Sequence, residues 1–306
     1  MTEPTLPLRF TCVWEGDSAG VTPGAFLSAV VRATGLSPTA LPNQSSSEGL
    51  SRVSLYVPVA PPTTREQRAA WTRALEHDLD SEGLAVAITA GAMAQRGPAL
   101  VVLDGDSTLF TGEGIDLVAA HAGTQEEVAA ITAAAMRGEL DFAQSLRRRM
   151  GTLRGLPVSV LDQVRQDYHF SPGAAQMVSA FHRRGVKVGV VSGGFRELVA
   201  PHATDIGLDF VKANSFEVAN GQLTGEPEGD IVTAETKETC LRSWAAELGV
   251  SAERCVAMGD GANDLKMVRA AGLGVAYLAK PALQAAADVR LSRPNLTALS
   301  ALTLPD

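Results

Sequence analysis

An α/β fold, in which a mostly parallel sheet carries a helical insertion and follows a small α+β unit, is predicted by three features of the 306-residue sequence. Ala99 to Leu103 is a continuous apolar run that stops at an aspartate pair, and uninterrupted runs of this kind suit strands buried on both faces. Similar runs recur at 186–191, 255–258 and 273–278, and the first two follow helical patterns over 173–184 and 237–248. Alternating helices and buried strands make βα units and hence a parallel sheet. The third feature is the segment 112–170, which reads as four helices in succession and interrupts the strand pattern.

Taken in order, residues 8–95 read as a strand (8–15), a helix (23–34), two strand-like stretches around the polar loop Asn43 to Glu48, a helix (64–79) and a strand (84–90). That order is βαββαβ. Thr22 is placed as the cap of the first helix, with Pro23 at its first position. The insertion divides into helices at 114–121, 124–137, 141–152 and 157–166. Parallel sheets bind ligands outside the carboxyl ends of their strands, so an insertion leaving from such an end sits over the site as a cap. Three units follow: residues 1–96, a core of 97–111 with 171–306, and a cap of 112–170.

Composition narrows the class of function. The formal net charge is −8 and the longest basic cluster is Arg147 to Arg149, too little to track a nucleic-acid backbone. The cysteines Cys12, Cys240 and Cys255 are odd in number and widely spaced, which argues against a disulfide framework or a zinc site and for a reducing compartment. The first ten residues have neither a basic n-region nor an apolar h-region, and the apolar stretches are broken before spanning length. A soluble cytoplasmic protein without nucleic-acid or membrane partners is the expectation. The five histidines lack ligand spacing and receive no role.

The chemistry concentrates at strand ends. Leu103-Asp104-Gly105-Asp106-Ser107-Thr108 places two carboxylates two residues apart at the end of a buried strand, where strand periodicity points both to one side. Such a pair repels itself unless a cation or a proton intervenes. Alone, it fits a solvated turn equally well. Gly259-Asp260-Gly261-Ala262-Asn263-Asp264 follows another buried strand and supplies further oxygen ligands, so that Asp104, Asp106 and Asp260 can converge on one hard cation. Ser192-Gly193-Gly194 offers a hydroxyl and open backbone N–H groups to a phosphoryl oxygen. Lys237 begins a helix after the loop 225–235 and, alone, reads as a solvated lysine.

These four segments, in this order, resemble the haloacid dehalogenase superfamily of phosphatases, whose motifs are DxD-S/T, a strand-end Ser, a Lys and GDxxxD. The resemblance covers the last two-thirds of the chain and implies a Rossmann-like parallel core of the haloacid dehalogenase type. It implies Asp104 as nucleophile and Asp106 as general acid and then base. It implies Mg2+ on the Asp104 carboxylate, the Asp106 carbonyl and Asp260. Ser192, Gly193, Lys237 and Asn263 would hold the phosphoryl group, with Asp264 orienting Lys237 or a metal-bound water.

The cap segments Glu113-Gly114-Ile115-Asp116 and Ala135 to Arg149 resemble the phosphoserine phosphatases. That likeness implies hydrolysis of O-phospho-L-serine, the last step of serine biosynthesis. Glu113 would read the substrate ammonium, Arg149 its carboxylate, and Met136 and Phe142 would close an apolar lid. A zwitterion needs one partner of each sign, and an Arg fork suits a carboxylate. Other small phosphomonoesters, such as phosphohomoserine or phosphoethanolamine, and an alcohol acceptor in place of water stay open, as does the choice among Arg147, Arg148 and Arg149. Two positions depart from the family's usual pattern: Gly105 between the aspartates, and Gly-Ile-Asp-Leu after Glu113 where Cys-Ile-Asp-Glu is common. Residues 1–96 resemble an ACT domain through the βαββαβ order and the turn at 17–24, which implies an amino-acid effector and a homodimer.

Overall fold

The computed structural model describes residues 6–16, 20–60, 63–79 and 83–306, with only the backbone of Val59 and Met136. The N-terminal unit runs β1 (Leu6–Glu15), α1 (Pro23–Thr34), β2 (Asn43–Ser47), β3 (Leu50–Ala60), α2 (Arg65–Leu79), β4 (Ala85–Ala90) and a short α3 (Gly91–Arg96). Its sheet is antiparallel in the order β2-β3-β1-β4. Thr22 caps α1 by accepting from the Ala25 N–H at 3.2 Å. The segment expected as a polar loop, Asn43 to Glu48, is instead largely strand β2. All five β2 residues are exposed, so an edge strand with neither face covered carries no hydrophobic alternation to betray it. The hairpin turn lies at Glu48-Gly49, where both residues have positive φ, 54° and 76°, as a two-residue turn matching strand twist requires.

Strand β1 is buried on both faces. Leu8, Phe10, Cys12 and Trp14 pack with Phe26, Val30 and Leu75 under α1 and α2. The opposite face, with Val13 of β1, Leu50 of β3 and Ala85 and Ala87 of β4, joins the core cluster of the C-terminal region.

That region begins with β5 (Leu100–Leu103) and then the cap helices α4 (Gly114–Ala122), α5 (Gln125–Met136), α6 (Phe142–Gly151) and α7 (Val160–Asp167). The chain returns through α8 (Ala174–Arg183), β6 (Lys187–Phe195), α9 (Arg196–Asp205), β7 (Phe210–Ala219), β8 (Gln222–Glu228) and α10 (Ala234–Glu247). It closes with β9 (Cys255–Gly259), α11 (Leu265–Ala270), β10 (Leu273–Tyr277), α12 (Pro281–Ala286), β11 (Val289–Leu291) and α13 (Thr297–Thr303). The sheet order is β11-β10-β9-β5-β6-β7-β8, parallel except for the β7–β8 hairpin. Strand β5 sends Val101 and Leu103 into one core cluster and Leu100 and Val102 into another, which is why its sequence is uninterruptedly apolar. Its neighbours β6 and β9 lie on opposite sides, so the strand order switches at β5 and leaves a crevice at its carboxyl end.

Three sequence expectations shift. The stretch 225–235, read as a loop, begins inside β8, which runs to Glu228, and α10 starts at Ala234, three residues before Lys237. The elements α3, α9, α11, α12, β7, β11 and α13 lie outside the sequence assignments, being either short or too weakly periodic to stand out. No helix among the described residues is long and apolar enough to cross a membrane.

Helix α13 lies between the two sheets, with every residue but Ala301 buried, and touches β1, β3 and β4. Arg65 pins the same seam. Its guanidinium meets Asp288 in a two-point fork, Nε at 2.8 Å and Nη2 at 2.6 Å, and donates to the carbonyls of Val268, Arg269 and Ala271 at the end of α11. On the other flank Arg52 Nη1 lies 3.1 Å from Asp306 Oδ1, and the Ser54 hydroxyl donates to Asp306 at 2.7 Å.

Arg65→Ala should cost about 2–3 kcal/mol, because it strands a half-buried carboxylate and several helix-end carbonyls. Thermal unfolding should show a melting point about 5 °C lower. Arg32→Ala, at an exposed ion pair with Asp78, should cost under about 0.5 kcal/mol in the same assay.

Candidate active site

The aspartate pair owes its placement to a wide turn. Asp104 is anchored to the sheet by its N–H, which donates to the Met258 carbonyl of β9 at 2.9 Å. The chain then closes a loop in which the N–H groups of Leu109 and Phe110 donate to the carbonyls of Asp104 and Gly105. Ser107 takes a left-handed φ of 58° within it. The strand has already ended at Leu103, so this turn, and not strand alternation, brings both carboxylates to the crevice. Gly105 fits because Ser192 Oγ would lie only 2.4 Å from a Cβ there.

Lys237 stands at the centre, 1% exposed. Its ammonium donates to Asp264 Oδ1 at 2.7 Å and lies 2.6 Å from Asp104 Oδ1. Burial opposes the charge, but the two carboxylates outweigh it and raise the lysine above its ordinary range. The second Asp264 oxygen accepts from the N–H groups of Asp260 and Gly261 at 3.2 and 3.0 Å. This packing needs a bare Gly259, whose Cβ would fall 2.3 Å from the Asp264 carboxyl carbon.

Oxygens of Asp104, Asp260 and Asp264 lie within 4.8 Å of one another. Asp264 is fully engaged, whereas neither Asp104 Oδ2 nor the Asp260 carboxylate accepts a hydrogen bond among the described residues. Burial and neighbouring carboxylates push Asp260 up to about 6. Burial and Asp264 likewise raise Asp104, against the pull of Lys237. Clustered oxygen donors with one ammonium among them are short of positive charge, and a divalent cation fits that deficit. Of the expected metal ligands, Asp104 and Asp260 are thus brought together. The Asp106 side chain is turned away, so only its backbone carbonyl is left for that role. Oδ1 of Asp106 accepts from the Gly114 N–H at 2.9 Å and the Tyr168 hydroxyl at 2.7 Å. Burial and then Glu113 raise its carboxyl to about 7.

The Ser192 hydroxyl is buried and accepts from the Gly194 N–H at 2.9 Å. Asn214, which the sequence reading missed, donates to the Gly193 carbonyl and accepts from the Val232 N–H, both at 2.7 Å. It couples the glycine loop to the approach of α10. A 2% exposed asparagine inside a strand leaves no periodic signal.

A cavity of about 890 Å³ opens over these groups, lined by Asp104, Asp106, Asp260, Asn263 and Gly193 from the core and by Glu113, Phe142 and Arg149 from the cap. Phe142 sits over Gly193, where a Cβ would touch the ring at 3.0 Å. Glu113 accepts from the Ser107 hydroxyl at 3.1 Å. Arg149 lines the cavity with a buried Nε that has no partner among the described residues, while Arg147 reaches out to Glu226 and Arg148 is exposed. The arginine facing the crevice is therefore Arg149. Lys280, also on the lining, was not anticipated, since nothing in Ala279-Lys280-Pro281 distinguishes it from a surface lysine. The Met136 side chain expected in the lid lies outside the described residues, as do residues 17–19 of the turn given to the effector site.

The family model of haloacid dehalogenase-like hydrolases matches residues 101–269, which contain every one of these groups except Lys280. The chain belongs to that hydrolase family. Among its relatives, phosphoserine phosphatase SerB2 of Mycobacterium tuberculosis is 50% identical over 70% of this chain, a match that spans only 53% of the relative's own length. Phosphoserine phosphatase of Streptococcus thermophilus is 50% identical over 64% of this hydrolase and 92% of that protein. Among solved structures, a HAD family hydrolase from Salmonella enterica serovar Typhi superposes with a TM-score of 0.79 at 27% identity, covering 97% of this hydrolase and 98% of that chain. A phospho-aspartyl intermediate analogue of phosphoserine phosphatase superposes with a TM-score of 0.63 at 39% identity, over 66% of this hydrolase and 97% of that chain.

Gly259→Ala should displace Asp264 and loosen the hold on Lys237 of this hydrolase. Urea denaturation should report a loss of about 2–3 kcal/mol. Gly249→Ala, at a helix end where φ is 65° and nothing lies within 4 Å, should lose about 1 kcal/mol from backbone strain alone.

Proposed function

We propose that this chain is a phosphoserine phosphatase that hydrolyses O-phospho-L-serine to L-serine and phosphate, the last step of serine biosynthesis. The observation that carries the reading is the cavity itself. A buried nucleophile candidate, a carboxyl poised near neutrality, and one free cationic and one anionic cap residue face the same space. The names of the two relatives support the same substrate.

In the first step a carboxylate oxygen of Asp104 bonds to phosphorus while the ester P–O bond breaks, its electron pair passing to the serine oxygen. Asp106 delivers a proton to that oxygen, so the leaving group departs as an alcohol. In the second step a water oxygen bonds to phosphorus, Asp106 takes the water's proton, and the Asp104–phosphorus bond breaks to restore the carboxylate and release phosphate. Ser192, the Gly193 N–H, Lys237 and Asn263 hold the phosphoryl oxygens. Asp264 keeps Lys237 in place. Asp104, the Asp106 carbonyl and Asp260 would hold Mg2+, which when bound offsets charge on the nucleophile and phosphoryl group. At the cap, Glu113 pairs with the substrate ammonium, Arg149 with its carboxylate, and Phe142 closes over the glycine loop.

We assign residues 1–96 to regulation or dimerisation. The βαββαβ order and the exposed edge strand β2 support an amino-acid effector there and a homodimer. Free cysteines, two of them buried, suit a cytoplasmic setting.

Phosphate release from L-phosphoserine, phosphohomoserine and phosphoethanolamine tests the substrate, with Mg2+ and with EDTA. Preference for L-phosphoserine that vanishes with EDTA is the expected result; a lead for another ester discards the substrate and keeps the chemistry. Asp104→Asn should abolish turnover while the melting point is kept. Arg149→Ala should raise KM for phosphoserine by about 30- to 100-fold, the worth of a charge-assisted hydrogen bond, and leave phosphoethanolamine, which has no carboxylate, within about twofold. Arg147→Ala should change neither.

A further inference from the structure

Asp106 makes one contact that the proposed reaction does not yet use. The Tyr168 phenol, 1% exposed, donates to Asp106 Oδ1 at 2.7 Å, beside the Gly114 N–H at 2.9 Å. Two donors fill that oxygen. Oδ2 accepts from no group among the described residues and faces the glycine loop, where a Cβ on Gly194 would fall 2.5 Å from it.

The phenol cannot swing away. Its ring stacks on Phe110 at 4.1 Å between centroids, and the His202 ring meets it edge-on at 5.7 Å. Phe110 is bridged to Phe170 across the two linkers of the cap, so Tyr168 is fixed where the chain re-enters the core. Gly114 borders this junction: a Cβ there would make ordinary contacts with Asp106 Oδ1 and the Tyr168 ring, at 3.5 and 3.8 Å, and be tight only against Leu198 at 3.1 Å.

We infer that Tyr168 is the positioning residue for the acid–base carboxyl: with the Gly114 N–H it occupies Oδ1, so that the transferred proton is given and taken at Oδ2. The inference rests on the phosphatase reading above. In balance, Oδ2–H passes to the serine oxygen as the ester P–O bond breaks, and Oδ2 recovers a proton from water as the water oxygen bonds to phosphorus. A carboxyl held by only one donor rotates, and the proton is presented to the leaving oxygen for a smaller share of the time.

Tyr168→Phe keeps the ring stack and removes only the donor. The test is the rate of phosphoenzyme formation in single turnover, on phosphoserine and on p-nitrophenyl phosphate, whose leaving group departs without a proton. The expected result is about tenfold slower phosphoenzyme formation from phosphoserine, a nitrophenolate burst changed by less than about twofold, and an unaltered KM for phosphoserine. Equal slowing on both substrates, or a rise in KM with kcat kept, makes Tyr168 a packing residue and overturns the inference; no change on either does the same. Where the wild-type protein shows no burst with the aryl ester, the split between kcat and KM on phosphoserine decides. Thermal melting of the variant separates loss of fold from loss of positioning. A wild-type protein that releases no phosphate from phosphoserine removes the phosphatase reading itself, an outcome visible before any variant is made.

Discussion

One buried ammonium holding two buried carboxylates governs the arrangement of this protein. Charges removed from water are costly unless each is met by good geometry and further hydrogen bonds, and Lys237 is met on both sides, by Asp104 and Asp264. Those partners arrive from the ends of two adjacent strands, and the lysine from the helix packed below them. Any loosening of β5 against β9 would therefore part a charge from its counter-charge. The neighbouring carboxylates are left with more negative charge than one lysine balances, and that excess suits the pocket to a divalent cation that can in turn take a phosphoryl group.

The cap depends on this centre through two linkers that run side by side. Phe110 and Phe170 form an antiparallel bridge, the Thr111 N–H donates to the His169 carbonyl and the Ser171 N–H to that of Leu109. Helices α4 to α7 thus join the core through a short, aromatic-clamped neck, and a second bridge ties Pro157 to Gln222 of β8. Glu113 stands at the outgoing end of that neck and Tyr168 at the returning end, and both act on Asp106.

The parallel core and the cap helices were legible in the sequence because they obey the two periodicities that a linear reading detects: apolar runs buried on two faces, and helical stripes. The site's acidic members and Lys237 were legible because motifs in order constrain one another. What escaped was held by tertiary context. Strand β2 is a polar edge, α13 is seven residues long, and Asn214 and Tyr168 act through side-chain hydrogen bonds that no spacing encodes. The choice of Arg149 over its neighbours also needed the structure, since three consecutive arginines on a helix point three different ways.

Helix α13 lies sandwiched between the N-terminal sheet and the catalytic core, and the apolar cluster passes through it without a break. Residues 1–96 are thus separable on paper but continuous in their packing. A sequence relative lacking this unit would have to present a more polar face at the position of α13, or cover it with something else. Unfolding of the two regions should be one cooperative event, so the binding energy of any molecule that favours the intact N-terminal sheet is shared with the strands that carry Asp104 and Asp260. Communication between the ends of the chain would then require no moving part, only a common melting equilibrium.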